Sequence, residues 1–114
     1  MRPPLWPGLL VAALAVVVFA PALGAGFINY DDGPYVVDNP RVREGLTAEN
    51  IGWALTSVKQ YYWHPLTWLS LQLDATLWGA GPAGFHATNV ALHAVSCLLV
   101  YVLLAGWTAE NIGW

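Results

Sequence analysis

The apolar residues of this chain are gathered into two long runs, and the segment between them holds most of the polar residues. The first run has no charged residue between Pro3 and Tyr30, and its centre reads LLVAALAVVVF. About 20 helical residues cross the roughly 30 Å hydrocarbon layer of a bilayer. The pattern therefore predicts a transmembrane helix over residues 8–28, with a kink at Pro21 that a membrane helix tolerates.

The second run follows a stretch rich in glycine and proline, so its helix is expected to occupy about residues 85–106. Trp6 precedes the first span and Trp107 follows the second, as expected when both ends of an antiparallel hairpin lie at one membrane interface. Arg2 favours a cytoplasmic amino terminus. The pattern predicts an all-α membrane protein whose two spans are joined by an extracytoplasmic loop.

A cleaved signal peptide is the alternative for the first run. Arg2 precedes an apolar core of 11 residues, and Ala20–Ala22 or Ala22–Gly24 offers a small-residue cleavage site. The single positive charge before the core and the second apolar run downstream favour the spanning helix.

The loop, residues 29–84, holds six of the seven acidic and three of the four basic residues, so the polar chemistry is expected there. Irregular turns are predicted at 29–35 and 38–40, where Asp, Asn, Gly and Pro cluster. Two short interfacial helices are predicted after them, near residues 47–59 and 65–78.

Each interfacial helix has a start signal and an apolar face. The hydroxyl of Thr47 is suited to cap the first helix, and Pro65 is suited to the first position of the second. The first helix is expected to bury Ile51, Ala54, Leu55 and Val58, and the second carries a leucine stripe formed by Leu66, Leu69, Leu73 and Leu77. The second helix is too short to cross a bilayer, so it is expected to lie in the interface or against the spans.

Composition limits the class of protein. The 114 residues are 57% hydrophobic and 10% charged, with a net charge of -3, whereas about 25% of the residues of an ordinary soluble domain are charged. Such a chain lacks the positive charge that nucleic-acid binding requires. The lipid bilayer is therefore the predicted partner, and no nucleic acid is expected.

Sequence motifs follow one another from the end of the first span into the second. They read F-x-N-Y-D-D-x-x-Y-V-V-x-N-P over residues 27–40, G-L-T over 45–47, W-x-P-L-T-W-L-S-x-x-L-D over 63–74, and H-x-x-N-x-x-L-H within 79–93. This series resembles the amino-terminal region of bacterial membrane proteins that carry tetratricopeptide repeats. Those proteins are similar to the protein O-mannosyltransferases and their animal tetratricopeptide-repeat relatives, which are glycosyltransferases of the GT-C fold.

The resemblance implies a polyprenyl-phosphate sugar as donor and a protein hydroxyl as acceptor. Such a transfer needs a carboxylate to take the proton of the attacking hydroxyl, and Asp31 and Asp32 match the two acidic positions of the family's loop motif. Neighbours in an extended turn point to opposite sides, so one can face the reacting centre while the other holds the loop. The pair also offers oxygen ligands for a divalent cation, but two adjacent carboxylates alone make a poor site, so no metal is assigned.

Five further residues are assigned to substrate binding: Tyr35, His64, His86, Asn89 and His93. The last three recur at i, i+3 and i+7, and a polar stripe on a span should face protein or water. Hydrogen bonding to a neighbouring helix or loop is the alternative role for this stripe, and packing is the alternative for His64. The spacing of the two histidines differs from the i, i+4 pair of zincins, so zinc is not expected.

The heptapeptide T-A-E-N-I-G-W occurs twice, at residues 47–53 and 108–114. It is shorter than the units of about 20 residues that build repeat proteins, so a recombination or gene-end artefact is expected. The further spans and tetratricopeptide repeats of the resembling proteins do not occur in the sequence. The chain is thus interpreted as a fragment with a cytoplasmic segment at 1–7, spans at 8–28 and 85–107, the loop at 29–84, and a duplicated tail at 108–114.

These observations together predict an amino-terminal fragment of an integral-membrane glycosyltransferase of the bacterial plasma membrane, with the loop on the extracytoplasmic side. The fragment is expected to be inactive alone, because several spans wall a lipid-sugar site in this fold. The alternative is a non-enzymatic two-span membrane module that serves interaction or assembly.

Overall fold

The structure is a computed structural model that describes residues 2–28 and 30–112. Met1 of the amino-terminal segment, Asn29 of the first motif, and Gly113 and Trp114 of the duplicated tail lie outside the described residues. Within the described residues every regular element is helical and no strand occurs, which confirms the all-α prediction. The α-helices are α1 (Trp6–Phe19), α2 (Pro40–Arg43), α3 (Ala48–Thr56), α4 (Pro65–Trp78) and α5 (Pro82–Ile112).

The chain divides into two compact units. The described residues up to Ala22 and from Thr88 onward form the hairpin unit, and Leu23–Ala87 form the loop unit. Two helical segments, Trp6–Gly24 and Pro82–Ile112, are long and apolar enough to cross a membrane, with mean hydropathies of 2.2 and 2.1. Only 11% of the most apolar window of each is buried inside the protein, so their apolar side chains face outward. Two candidate spans were predicted from the sequence, and two are present among the described residues.

The bounds of these helices differ from those predicted for the spans. Regular α-helix extends only to Phe19, and a 3-10 turn then occupies Ala20–Gly24. Pro21 explains the change, because it lacks the N–H that would continue the α-helical hydrogen bonds. α5 begins at Pro82, which is suited to an early helical position, and continues for 31 residues to Ile112.

The hairpin unit pairs α1 with α5 in antiparallel fashion. The hydroxyl of Tyr101 donates to the carbonyl of Pro4 at 2.6 Å, and the rings of Phe19 and His93 meet edge to face at 5.0 Å. Between these contacts Gly8 is buried, and a Cβ there would lie 2.9 Å from Cδ1 of Leu98 and closer still to the ring of Tyr101. The missing side chain is therefore what allows the helices to approach each other at this level.

The loop unit packs α2, α3 and α4 together around a buried Trp68. Its core consists of Val36, Val42, Ala54, Trp68, Ala75 and Phe85. The two segments predicted as irregular turns are helical in part: a π-helical turn occupies Gly33–Val37, and α2 follows. The side chain of Asn39 caps α2 by accepting from the N–H of Arg41 at 3.1 Å, and this cap stabilises so short a helix.

α3 starts as predicted but buries a different face. The hydroxyl of Thr47 accepts from the N–H of Asn50 at 3.1 Å, which confirms the cap. The buried residues of the helix are Asn50 and Ala54, whereas Ile51, Leu55 and Val58 of the predicted apolar face are exposed. The amide of Asn50 donates to the carbonyl of Gly45 at 3.0 Å, and this bond holds a polar residue on the inner face.

α4 occupies the predicted range, yet its leucines face outward. Leu66, Leu73 and Leu77 of the predicted stripe are exposed, while Trp68, Gln72 and Ala75 on the opposite face are buried. The amide of Gln72 donates to the carbonyl of Asn50 at 2.9 Å, which ties the inner face of α4 to α3. The helix therefore presents leucine to its surroundings and a polar amide to the core.

Candidate active site in the loop unit

The two aspartates of the acidic motif have different surroundings. The carboxylate of Asp32 accepts from the N–H of Ile28 at 2.7 Å, so it closes the turn that leads into the acidic pair. Asp31 is exposed, and its side chain makes no hydrogen bond or ion pair within residues 2–28 and 30–112. The main-chain carbonyl of Asp31 accepts from the N–H of Tyr35 at 3.0 Å, in the first turn of the helical segment that follows. Asp32 thus holds the loop, and the carboxylate of Asp31 remains available.

An aromatic cluster joins one residue of this motif to residues further along the chain, and its members are Tyr35, Trp53, Tyr62, His64 and Trp68. Tyr35 stacks on Trp68, with ring centroids 4.9 Å apart and planes 21° apart. The ring of His64 lies 5.0 Å from that of Trp68 and 5.7 Å from that of Tyr35. Trp53 also packs edge to face on Trp68, with ring centroids 5.0 Å apart. The structure therefore brings together two of the predicted substrate-binding residues, Tyr35 and His64, through a tryptophan that sequence reasoning did not assign to the site.

Three buried polar atoms of this region have no hydrogen-bond partner among the described residues. They are Nε2 of His64, Nε1 of Trp68 and Oε1 of Gln72. The three residues recur every four positions, so they share one face of α4 and of its amino-terminal cap. Buried polar atoms in proteins are nearly always hydrogen-bonded, so these three atoms leave unused hydrogen-bonding capacity on the inner face of α4. The H-x-x-x-W-x-x-x-Q spacing was the signal in the sequence that could have revealed it.

A network of polar side chains links α2, α3 and α4 beside the aromatic cluster. Arg41 forms an ion pair with Glu49 and lies 3.4 Å from the side-chain oxygen of Asn50. Asn50 is joined in turn to Gly45 and to Gln72. The buried amides of this network fix α3 against α4, and so fix the position of Trp53 relative to Trp68.

His86 lies at the first turns of α5, inside the loop unit. Its Nε2 is 3.4 Å from the carbonyl oxygen of Gly26, and the neighbouring Phe85 packs on Phe27 with ring centroids 6.0 Å apart. His86 therefore contacts the segment that leads into the acidic motif. This contact corresponds to the hydrogen-bonding role that the sequence left open for it.

Asn89 and His93 belong to the hairpin unit. Asn89 is exposed. His93 packs against Phe19, and its Nε2 lies 3.9 Å from the sulfur of Cys97 one turn further along α5. The contacts of His93 are therefore with its own helix and with the end of α1.

The structure shows no ready metal site in the part of the chain it describes. Within residues 2–28 and 30–112, no three His, Cys, Asp or Glu side chains are grouped so that they could hold a metal ion. The exposed carboxylate of Asp31 is suited to take up a proton from a hydroxyl group, and the aromatic cluster is suited to pack against a ring.

The known proteins compared here all carry the name protein O-mannosyl-transferase. Protein O-mannosyl-transferase Tmtc1 of Drosophila melanogaster is 33% identical over 109 residues, which cover 90% of this chain and 13% of that protein. Protein O-mannosyl-transferase TMTC4 of Homo sapiens is 32% identical over 111 residues, with coverages of 88% and 15%. Protein O-mannosyl-transferase Tmtc2 of Drosophila melanogaster is 36% identical over 100 residues, with coverages of 81% and 11%.

The chain is therefore similar to protein O-mannosyl-transferases of the TMTC group, as the sequence motifs predicted, and it spans 11 to 15% of the length of these relatives. The three relatives are animal proteins, so the bacterial origin stays a prediction. No protein-family model matches the chain. No solved structure matches it either.

Proposed function

We propose that this chain forms the part of a membrane glycosyltransferase that carries the catalytic base, and that the base is Asp31. The observation that carries the proposal is the difference in hydrogen bonding between the two aspartates. The carboxylate of Asp32 accepts from the N–H of Ile28, whereas Asp31 is exposed and its side chain has no partner among the described residues. The similarity to protein O-mannosyl-transferases over 90% of the chain supports the class of reaction.

The reaction transfers a sugar from a polyprenyl-phosphate donor to a hydroxyl of a protein acceptor. The acceptor oxygen forms a bond to the anomeric carbon while the bond from that carbon to the phosphate oxygen breaks. The carboxylate of Asp31 takes the hydroxyl proton, and the polyprenyl phosphate leaves with the electron pair of the broken bond. Asp32 keeps the motif in place through its bond to the Ile28 N–H, so that the base is presented in one position.

The substrate contacts in this proposal are those of the residues predicted from the sequence. Tyr35 and His64 of the aromatic cluster contact the sugar or the acceptor in this proposal, and their common packing on Trp68 supports a joint role. His86 supports the start of the acidic motif through Gly26. Asn89 and His93 are proposed to contact the donor from α5. The loop unit lies on the extracytoplasmic side of a bacterial plasma membrane, and both termini lie in the cytoplasm.

A lipid-linked sugar site needs walls on several sides, and the relatives are several times longer than this chain. We propose that spans of a longer protein complete the site around Asp31. On this view the 114 residues by themselves transfer no sugar, and the loop unit contributes the base and part of the substrate surface.

The test is sugar transfer by the membrane protein that contains these residues, reconstituted with a polyprenyl-phosphate mannose donor and a peptide acceptor. Asp31→Asn is expected to lower kcat by about 10²- to 10⁴-fold, the usual contribution of a general base. Glu44→Gln is the matched control, because Glu44 is an exposed acid of the same unit with no role in the proposed site. Unchanged transfer by Asp31→Asn, alongside an active control, would exclude Asp31 as the base and favour the two-span interaction module.

A further inference from the structure

A cavity of about 470 Å³ lies in the hairpin unit, between the amino-terminal segment and the last turns of α5. It is lined by Arg2, Pro3 and Leu5 from the amino-terminal segment and by Val102 and Gly106 from α5. The two sets of residues are far apart in the sequence, so only the folded hairpin forms this cavity. None of the residues assigned to the candidate active site lines it.

The walls of the cavity are held in place by features of both segments. The hydroxyl of Tyr101 in α5 donates to the carbonyl of Pro4 at 2.6 Å. Pro3 and Pro4 have fixed φ angles, so the amino-terminal segment has little backbone freedom there. At Gly106 a Cβ would meet no heavy atom within 4 Å, so the space beside this residue is open. A larger side chain at position 106 therefore has room to project into the cavity.

The cavity combines apolar walls with a single positive charge. Leu5 and Val102 are 59% and 41% exposed, so their side chains are free to pack against a bound molecule. Arg2 is the one cation among the described residues of the hairpin unit. It is exposed, and its guanidinium makes no hydrogen bond or ion pair within residues 2–28 and 30–112. A free guanidinium presents several N–H donors in a plane that matches the oxygens of a phosphate group.

Two exposed tryptophans indicate the depth of the cavity in a membrane. Trp6 follows Leu5 and is 66% exposed, and Trp107 follows Gly106 and is 60% exposed. Tryptophan concentrates at the level of the lipid headgroups, because its ring is apolar and its N–H reaches polar atoms. The cavity therefore lies at the depth where lipid phosphates meet acyl chains, and the long side chain of Arg2 can extend its charge to that level.

We propose that this cavity binds one anionic phospholipid. The phosphate of the lipid accepts hydrogen bonds from the guanidinium of Arg2, and the upper part of an acyl chain packs on Leu5, Val102 and Gly106. A phospholipid with net negative charge is preferred to phosphatidylcholine, whose choline cation cancels the charge of the phosphate. The site belongs to the hairpin unit, whereas Asp31 belongs to the loop unit, so this proposal does not rest on sugar transfer.

The test measures which lipid the protein retains. The full 114-residue chain is purified in detergent, mixed with equimolar phosphatidylglycerol and phosphatidylcholine, and examined by native mass spectrometry. We expect the chain to retain one molecule of phosphatidylglycerol several times more often than one of phosphatidylcholine. Equal retention of the two lipids by the unsubstituted chain would overturn the proposal.

A substitution of the arginine tests the role of the charge. Arg2→Gln is expected to lower the ratio of retained phosphatidylglycerol to phosphatidylcholine by about fivefold, the usual effect of one basic residue on anionic lipid binding. Arg2→Lys keeps the charge and is expected to retain most of the preference. Arg43→Gln is the matched control, because Arg43 is an exposed arginine of the loop unit. Equal effects of Arg2→Gln and Arg43→Gln would show a general attraction to charge and would exclude the site.

A second substitution tests the cavity itself. Gly106→Leu is expected to fill the space and to lower phosphatidylglycerol retention by about fivefold or more, since each buried methylene of the displaced chain contributes to binding. Gly52→Leu is the matched control, because Gly52 lies in α3 and a Cβ there also meets nothing within 4 Å. Circular dichroism checks that both variants keep their helix content. Undiminished retention by a helical Gly106→Leu variant would exclude the cavity as the lipid site.

A competition experiment distinguishes a bound lipid from a bound headgroup. Glycerol phosphate carries the same phosphate without acyl chains, so in millimolar excess it is expected to leave the retained phosphatidylglycerol in place. Displacement by glycerol phosphate would show that the phosphate alone is recognised, and it would overturn the assignment of an acyl chain to the walls of the cavity.

Discussion

Trp68 is the residue on which the arrangement of the loop unit depends most directly. Its side chain is 0% exposed and contacts the rings of Tyr35, Trp53 and His64. Of these four residues, only Tyr35 and His64 were assigned to a site from the motifs. The tryptophan was missed because a residue at the amino-terminal part of a leucine-rich helix gives no local sign of facing inward.

Replacing Trp68 by phenylalanine is expected to lower the free energy of unfolding by about 1–3 kcal/mol, because buried ring volume and the stack with Tyr35 are partly lost. Trp78→Phe is the matched control, since Trp78 is an exposed tryptophan of the same helix. Denaturant unfolding in detergent, followed by circular dichroism, measures both. The near-ultraviolet signal of the aromatic cluster should change only in the Trp68 variant, and equal losses of stability would contradict the central role of Trp68.

The acidic motif shows how far the sequence alone can assign roles to individual residues. Adjacent aspartates in a turn predicted two roles, one towards the reaction and one towards the loop. The proposal that Asp31 is the base depends on the hydrogen bond from the Ile28 N–H to the carboxylate of Asp32, which closes the turn before the pair. Nothing in the pair Asp31-Asp32 itself distinguishes the two carboxylates.

The duplicated heptapeptide shows at the scale of elements how the same residues serve two structures. In the first copy Thr47 caps α3, and the amide of Asn50 is buried against Gly45. In the second copy the described residues continue α5, where the hydroxyl of Thr108 donates to the carbonyl of Leu104 at 2.9 Å. The difference arises from what precedes each copy. Before the first copy, Gly45 has a φ of +79°, which no α-helix can accommodate, so a new helix must start after it. The second copy is preceded by the unbroken helix α5, which continues into it.

This contrast predicts unequal effects of one substitution made at two places. Thr47→Ala is expected to lower the free energy of unfolding by about 1 kcal/mol, because a helix cap is lost. Thr108→Ala, within a continuing helix, is expected to change it by less than about 0.5 kcal/mol. Denaturant titration of both variants in the same detergent measures the difference. Equal losses of unfolding free energy in the two variants would show that the Thr47 cap stabilises the protein no more than the hydroxyl of Thr108 does.

At the scale of the whole molecule, the two candidate spans depend on close contact between α1 and α5 in the hairpin unit. Gly8 permits this contact, because an added Cβ would meet Leu98 and the ring of Tyr101. The ring cannot swing aside freely, since its hydroxyl is bonded to the carbonyl of Pro4. Small residues at helix contacts have this function generally in membranes.

Gly8→Ala is expected to destabilise the hairpin unit by about 1–3 kcal/mol, the usual cost of forcing an extra group into a packed contact. Gly106→Ala is the matched control, because a Cβ at Gly106 of α5 meets nothing within 4 Å. The measurement is unfolding in mixed micelles with increasing dodecyl sulfate. A Gly8 variant as stable as the Gly106 variant would show that the helices are not held together at this level.

The sequence by itself determined the features that depend on local composition and length. Two apolar runs of about 20 residues or more suffice to predict two helices that can cross a membrane. The positions of Thr47 and Pro65 predict where α3 and α4 begin, because a capping hydroxyl and a fixed φ act within a single turn.

Only the tertiary structure decided which faces of α3 and α4 point inward. The periodicity of α4 shows that its leucines share a face, but it cannot show whether protein or lipid covers that face. In water the leucines would have to be buried. Beside a bilayer they can remain outside while Trp68 and Gln72 form the interior, because buried hydrogen bonds from Gln72 and Asn50 stabilise that choice. The same long-range packing placed Tyr35 and His64 on one tryptophan, and it could not be read from any single segment of the chain.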